Sequence, residues 1–368
     1  LGYSLIKIFY FNVSLTINTM NFIDPRNLSP NEFISQVPDF GISAVNARAL
    51  LGAIVGKGNL EPSSWESLGL IPKKVAQSLE PLPRLKLVNT LTSSVDGFQK
   101  LIFKTEDRLQ IETVIIPLLK DNCVSICISS QVGCVMACDF CATARMPKRR
   151  NLKSWEIIDQ MRQARSIAAA SGKKVTSAVF MGMGEPFLNY SNVMIAAEHF
   201  CFPIINAISS KSITISTVGL IKEIDRFTHE KRPFRLSISL GSAFDVKRKI
   251  LVPVAARTRV EDVINAATRH ANAIKDRVML AYVCISDMNI FEEDAKELAR
   301  IIGTTRVRLD LIEVTDTSGV YKRPTEDELK QFRDWLGFYL KQPVVRRYSG
   351  GADIRAACGT LEGLMSAS

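Results

Sequence analysis

CISSQVGCVMACDFC, residues 127–141, decides how the rest of the chain is read. Within it Cys134, Cys138 and Cys141 form a C-x3-C-x2-C triplet, with Phe140 directly before the last cysteine. Closely spaced thiolates are soft ligands that favour zinc, copper(I) and iron–sulfur clusters. Structural zinc needs a fourth cysteine or histidine, and the three histidines, His199, His229 and His270, are all distant in sequence. A 4Fe–4S cluster is ordinarily held by four cysteines, so three leave one iron open, and an open metal position is where chemistry is done. The competing reading sets the cysteines on one face of a helix as small core residues. The loop-like Ser-Ser-Gln-Val-Gly before the triplet and the basic residues after it argue against that.

Beyond the triplet the pattern alternates. Apolar, β-branched runs at 124–130, 175–181, 211–217, 233–240, 277–285 and 306–314 are followed by amphipathic segments at 153–170, 191–201, 220–229, 260–274, 291–302 and 324–340. Such βα repetition predicts an α/β fold with a parallel sheet and helices outside it. Periodicity does not separate an open sheet from a partial barrel, but in both the ligand site lies at the carboxyl ends of the strands. Sequence motifs fall there. Gly182-Met-Gly-Glu-Pro186 follows one run, where glycines admit close backbone approach and Glu185 is able to accept from an ammonium. Ser216-Thr-Val-Gly219, Ser237-Ile-Ser-Leu-Gly241 and Asp310-Leu-Ile-Glu-Val-Thr-Asp316 end others. Taken alone, the glycine-rich loop 182–186 is more often just a tight turn.

Before residue 118 the chain reads as small helices and a hairpin. Ser29 to Glu32 is a capping box with Pro30 at the first helical position. Ser43 caps a second helix through Val55, Pro72–Leu79 is a third, and Gln99–Lys104 with Leu109–Ile116 form the hairpin. Residues 1–19 are apolar and begin without methionine. They fall short of the ~20 uninterrupted apolar residues of a membrane span, and we expect them to come from an upstream or non-AUG start, with Met20 opening the ordinary segment. The chain of 368 residues carries 47 Lys and Arg against 37 Asp and Glu, a weak pointer to a polyanionic partner. Its eight scattered cysteines do not form a secreted disulfide framework and fit a reducing cytoplasm.

The triplet with its preceding aromatic residue resembles the cluster loop of radical S-adenosylmethionine (SAM) enzymes. The longer string, from Cys127 through the triplet to Arg150-Asn-Leu152, is similar to the RlmN/Cfr family of adenosine methyltransferases, and the resemblance covers roughly residues 94–363. It implies a partial (β/α)6 barrel. It also implies an N-terminal accessory RNA-binding domain at 20–117, a radical SAM core at 118–349 and a C-terminal segment, 350–368, with a methyl-carrying cysteine. Cys134, Cys138 and Cys141 would hold one 4Fe–4S cluster. Gly184, Glu185, Ser216, Ser239, Leu240, Gly241 and Thr315 would contact SAM. Two of these depart from the family pattern: Gly241 stands where a histidine is usual and Thr315 where an asparagine is.

The same resemblance gives the chemistry. A first SAM methylates Cys358; a second, cleaved by a cluster electron, yields a radical that takes hydrogen from that methyl, and the methylene radical adds to adenine. Glu112 then removes the ring proton, and Cys127 releases the product by forming a disulfide with Cys358. The implied substrate is adenine C2 in 23S rRNA, with a tRNA adenosine as a second target, and the implied partners are RNA and an electron donor such as flavodoxin, the enzyme acting as a cytoplasmic monomer. The rivals are methylation at C8 or on another RNA, and a non-catalytic zinc- or cluster-bearing RNA-binding protein. The basic run Arg145–Arg150 is expected to track phosphates.

Overall fold

The computed structural model describes residues 22–205 and 207–363, with main chain alone at 255 and 256; the apolar stretch 1–19 lies outside them. Twelve strands are described. They are β1 (Lys86–Thr92), β2 (Gln99–Lys104), β3 (Gln110–Pro117), β4 (Cys123–Cys127), β5 (Gln131–Val132), β6 (Arg150–Asn151), β7 (Lys174–Phe180), β8 (Ile213–Thr217), β9 (Arg235–Ser239), β10 (Val278–Cys284), β11 (Val307–Glu313) and β12 (Val344–Arg347). Ten of them form one sheet in the order β1-β2-β3-β4-β7-β8-β9-β10-β11-β12. From β4 onward every neighbouring pair is parallel, as the alternating pattern requires. Burial on both faces explains the continuous apolar runs: all five residues of β8 are buried.

Three features were not read from the sequence. The strand β12 adds a seventh parallel member beside β11. Its VVRR is too short and too polar to announce itself. The expected hairpin, β2 with β3, gains β1 as an antiparallel edge whose residues are almost all exposed. The pairing of β3 with β4 then joins this ribbon directly to the parallel sheet. Edge strands can carry polar residues on both faces, so β1 leaves no period-2 signal.

The helices expected outside the sheet are present within a residue or two of their limits, from Ser154–Ala170 to Glu326–Tyr339. An extra short helix, Asp245–Leu251, follows β9. In the N-terminal part Ser29 closes its capping box with Glu32 around Pro30–Gln36. The second helix is α-helical only over Ala44–Leu51 and continues as a π turn at Gly52–Gly56, and the third shrinks to Lys73–Ala76. These helices lie against the barrel's outer layer. His199 Nε2 meets the Leu28 carbonyl oxygen at 2.9 Å, and Leu85 N–H donates to the Asp159 carboxylate at 2.8 Å. Among the described residues no helix is long and apolar enough to cross a membrane.

Candidate active site

The loop carrying the triplet is closed at its base by β5 pairing with β6. Gly133 turns the chain into it at φ +64, where an added Cβ would meet the Lys148 carbonyl oxygen at 2.6 Å. No helix spans 134–141, which removes the helical-face reading of the cysteines. Cys141 N–H donates to the Cys138 carbonyl at 3.0 Å, and Ala142 N–H donates to the Gly359 carbonyl at 2.8 Å, so the loop is tied to the C-terminal segment. The arginines of the basic run brace this loop rather than standing free. Arg145 reaches Asp316 at 3.3 Å, Arg149 donates to the Ala144 carbonyl at 2.8 Å, and Arg150 pairs with Asp107 at 2.7 Å and Glu156 at 2.8 Å. Arg145, Lys148 and Arg149 are nonetheless exposed.

Above the carboxyl ends of the strands lies a cavity. Cys138, Cys141, Gly184, Glu185, Ser216, Ser239, Gly241, Thr315 and Cys358 all line it. Leu240 does not: its side chain belongs to the buried core, and its backbone N–H donates to the Ala281 carbonyl at 2.9 Å. Cys134 is half-buried outside this lining but still interacts electrostatically with Cys138. Burial pushes the Cys134 thiol up to about 12, and burial followed by the charges of Cys141 and Cys134 pushes Cys138 well above its ordinary value. Thiols whose ionised form is disfavoured by burial and by one another fit a site where a cationic group would be needed to hold them as thiolates.

Among the described residues no three His, Cys, Asp or Glu side chains converge closely enough to hold a single metal ion. A cubane binds each thiolate through a different iron, so its ligands need only surround a common space. The donor set, thiolate only and three in number, fits such a cluster better than a four-ligand zinc site. His199 and His270 are buried on outer helices, held down to about 4 by burial, and are structural.

Glu185 is fixed by the glycine before it. Gly184 has φ +100, and a Cβ there would lie 2.5 Å from Gln131 Cβ. Gln131 Oε1 accepts from Glu185 N–H at 2.8 Å, and the Glu185 carboxylate accepts from Phe187 N–H at 3.0 Å and Val218 N–H at 2.9 Å. Burial nevertheless raises it to about 7, which disfavours the anion until a counter-charge arrives. Two side chains that the sequence did not mark hold the loop ends. Arg248 donates to the carbonyls of Leu240 at 3.0 Å and Val218 at 2.6 Å. Asn289 donates to the Gly241 carbonyl at 2.9 Å.

Gly241 has φ +76, so the backbone there, and not only the missing side chain, differs from what a histidine favours. Gly241→His is expected to lower stability by about 1–2 kcal/mol. Thermal unfolding of the variant checks this; an unchanged midpoint would mean the turn relaxes freely.

A second, smaller cavity adjoins the first, sharing Met181, Ile312, Cys358 and Leu361. Cys127, at the end of β4, and Arg347, at the end of β12, line it. Cys358 is exposed and lines both cavities. Burial, then the neighbouring Cys358, pushes Cys127 up to about 12, and the Arg347 guanidinium pulls both thiols down.

Glu112 lines neither cavity; it is 1 % exposed. Its strand is clamped from behind: Ser129 Oγ donates to the Glu112 carbonyl at 2.5 Å, Thr113 Oγ1 donates to Gln160 Oε1 at 2.8 Å, and Gln160 Nε2 donates to the Ser129 carbonyl at 3.0 Å. Burial raises the Glu112 carboxyl, and Lys100 opposes that.

Known proteins resemble this arrangement. Residues 128–302 match the Radical SAM superfamily. A probable RNA methyltransferase of Myxococcus xanthus is 39% identical over 339 residues, covering 91% of this chain and 93% of that protein. A probable dual-specificity RNA methyltransferase RlmN of Leptospira biflexa is 35% identical, covering 79% of this chain and 83% of its own. The crystal structure of a radical SAM methyltransferase from Sphaerobacter thermophilus superposes with a TM-score of 0.83 at 30% identity, over 92% of this chain and 99% of that one.

Proposed function

The chain belongs to the RlmN/Cfr family of radical SAM RNA methyltransferases, and on that premise we propose that it methylates C2 of an adenosine in 23S rRNA through a methyl-cysteine intermediate. One observation carries the reading: Cys358 opens at once into the cavity that holds Glu185 and two of the triplet cysteines and into the one that holds Cys127. A carbon on the Cys358 sulfur thus stands between the place where a radical would arise and the thiol that would release it.

Adenine C2 is electron-poor and its hydrogen is not acidic, so direct attack on a SAM methyl is not open to it. Cys134, Cys138 and Cys141 would hold a 4Fe–4S cluster, which when bound supplies the electron that cleaves SAM. The protein's own groups do the rest. Cys358 carries the one-carbon unit, and Glu112 takes the ring proton while the adduct's surplus electron would pass to the bound cluster. The Cys127 thiolate then attacks the Cys358 sulfur, so that an S–S bond forms as the sulfur–carbon bond breaks and the freed carbon keeps that electron pair and takes up a proton to become the methyl group. The part up to residue 117 helps hold the RNA, and an external reductant such as flavodoxin restores the electron supply.

Anaerobic reconstitution with iron, sulfide, SAM and rRNA, followed by mass spectrometry of the digested RNA, tests this. We expect 2-methyladenosine. A product methylated at C8 would move the chain to the sister activity, and a colourless zinc protein that makes no methylated RNA would overturn the reading.

Glu185 gives a pH dependence. Its value is raised from 4.5 to about 7, so it favours the fold at low pH and that contribution is lost as pH rises between these values. For the SAM ammonium the sign is opposite, because only the anion pairs with it. SAM affinity is expected to weaken as pH falls through about 7, by up to roughly tenfold per unit, and Glu185→Gln should flatten the profile. Equilibrium dialysis across pH 6–8 reads both. Thr315→Asn is expected to tighten SAM by about 1 kcal/mol, one regained hydrogen bond, measured in the same way.

A further inference from the structure

Resting on the reading in which Glu112 takes the ring proton, we propose that Lys100 is a positioning residue that holds the Glu112 carboxylate as an aimed anion and ties it to the loop bearing Cys358. In the β2–β3 register Ile102 stands opposite Glu112, which puts Lys100 one diagonal step away on the same face. Lys100 is 5 % exposed, unusually buried for a lysine. Its ammonium has two partners there: it lies 3.5 Å from Glu112 Oε1 and donates to the Arg355 carbonyl at 3.2 Å. Arg355 is three residues before Cys358, so one cation touches both the base and the arm that carries the carbon.

The second carboxylate oxygen is left over. Glu112 Oε2 is buried without a hydrogen-bond partner, an arrangement that is costly unless a ligand completes it. The ammonium fixes one oxygen and leaves the other to receive the proton when the adenine C2–H bond breaks. The ionisable groups that act on Glu112 are Lys100 on β2 and Glu362 in the C-terminal segment. Glu362 is itself paired with Arg355; its backbone N–H supports the Glu112 anion while its charge opposes it, and Lys100 is the cation that works against burial. Without Lys100 the carboxyl would hold its proton to higher pH, and the base would be spent before the reaction began.

Two measurements separate this from a merely structural ion pair and from failure of the functional reading. The first needs no RNA: an infrared difference titration of the cluster-free protein, with Glu112→Gln identifying the band. The Glu112 carboxyl should ionise at higher pH in Lys100→Met than in the parent and near the parental pH in Lys100→Arg. The second follows decay of the Cys358-linked RNA adduct in the reconstituted enzyme. Lys100→Met should resolve the adduct at least ~10-fold more slowly at pH 7, recovering as pH rises, as a one-unit shift in a base demands, while Lys100→Arg stays close to the parent. An unshifted Glu112 titration in Lys100→Met, or adduct decay slowed equally at every pH, would overturn the proposal for Lys100 alone. Unimpaired turnover by Glu112→Gln would instead overturn the role of the base from which it starts.

Discussion

Replacing any one of Cys134, Cys138 or Cys141 by alanine is expected to abolish cluster retention and all cleavage of SAM to 5′-deoxyadenosine. The three thiols cannot substitute for one another. The loop is pinned at β5–β6, turned by Gly133 and fastened to Gly359, so each sulfur has one place to stand. Neither Cys284, fully buried in β10, nor Cys123, at the far end of β4, is placed to step in. Removing one thiolate leaves two for a group that needs three and still has to keep one iron open. Iron and sulfide analysis of the reconstituted variants, with chromatographic detection of 5′-deoxyadenosine, reads the result. A single alanine variant that keeps the parental iron content and cleaves SAM would show that a ligand has been misassigned.

The other large effect belongs to Cys127 and Cys358. Cys127→Ala is expected to accumulate protein covalently joined to RNA, because the methylene bridge forms on Cys358 but no thiol arrives to displace it. Cys358→Ala should form no adduct, and neither should the double variant. Intact-protein mass after nuclease digestion shows the attached nucleotide. The structure closes the escape route that the sequence leaves open. Cys123 is near Cys127 in sequence, but four residues of strand separate them by roughly 13 Å, and Cys123 sits at the opposite end of β4 from the cavities. Full turnover by Cys127→Ala would therefore require a different resolving chemistry altogether. Burial holds the Cys127 thiol at about 12, and the thiolate is the attacking form, so adduct resolution in the parent should quicken with rising pH.

Much of the architecture was legible because it is written locally. A strand buried on both faces needs a short apolar run, and an outer helix needs a 3.6-residue period, so the sheet and its helices were visible wherever those periods held. They failed for β1 and β12, an edge strand and a four-residue strand rich in arginine, where few apolar contacts are required. Gly184 was visible in the chain, but its reason was not: a Cβ there would meet Gln131, which lies far away in sequence.

The thiolate triplet, the alternation of strands and helices beyond residue 118 and the strand-end loops are legible in the chain alone, since each depends on residues within a few positions of one another. Only the tertiary structure decided which distant groups meet. Cys127 and Cys358 share a cavity because β4 and the C-terminal loop converge over the sheet. Gln160 of an outer helix clamps the strand of Glu112, Arg248 and Asn289 fasten the loop ends, and Lys100 joins Glu112 to the Cys358 arm. The reason is physical. Periodicity records which face of an element is apolar, whereas a buried polar group finds its partner only when packing brings two elements together and denies it water.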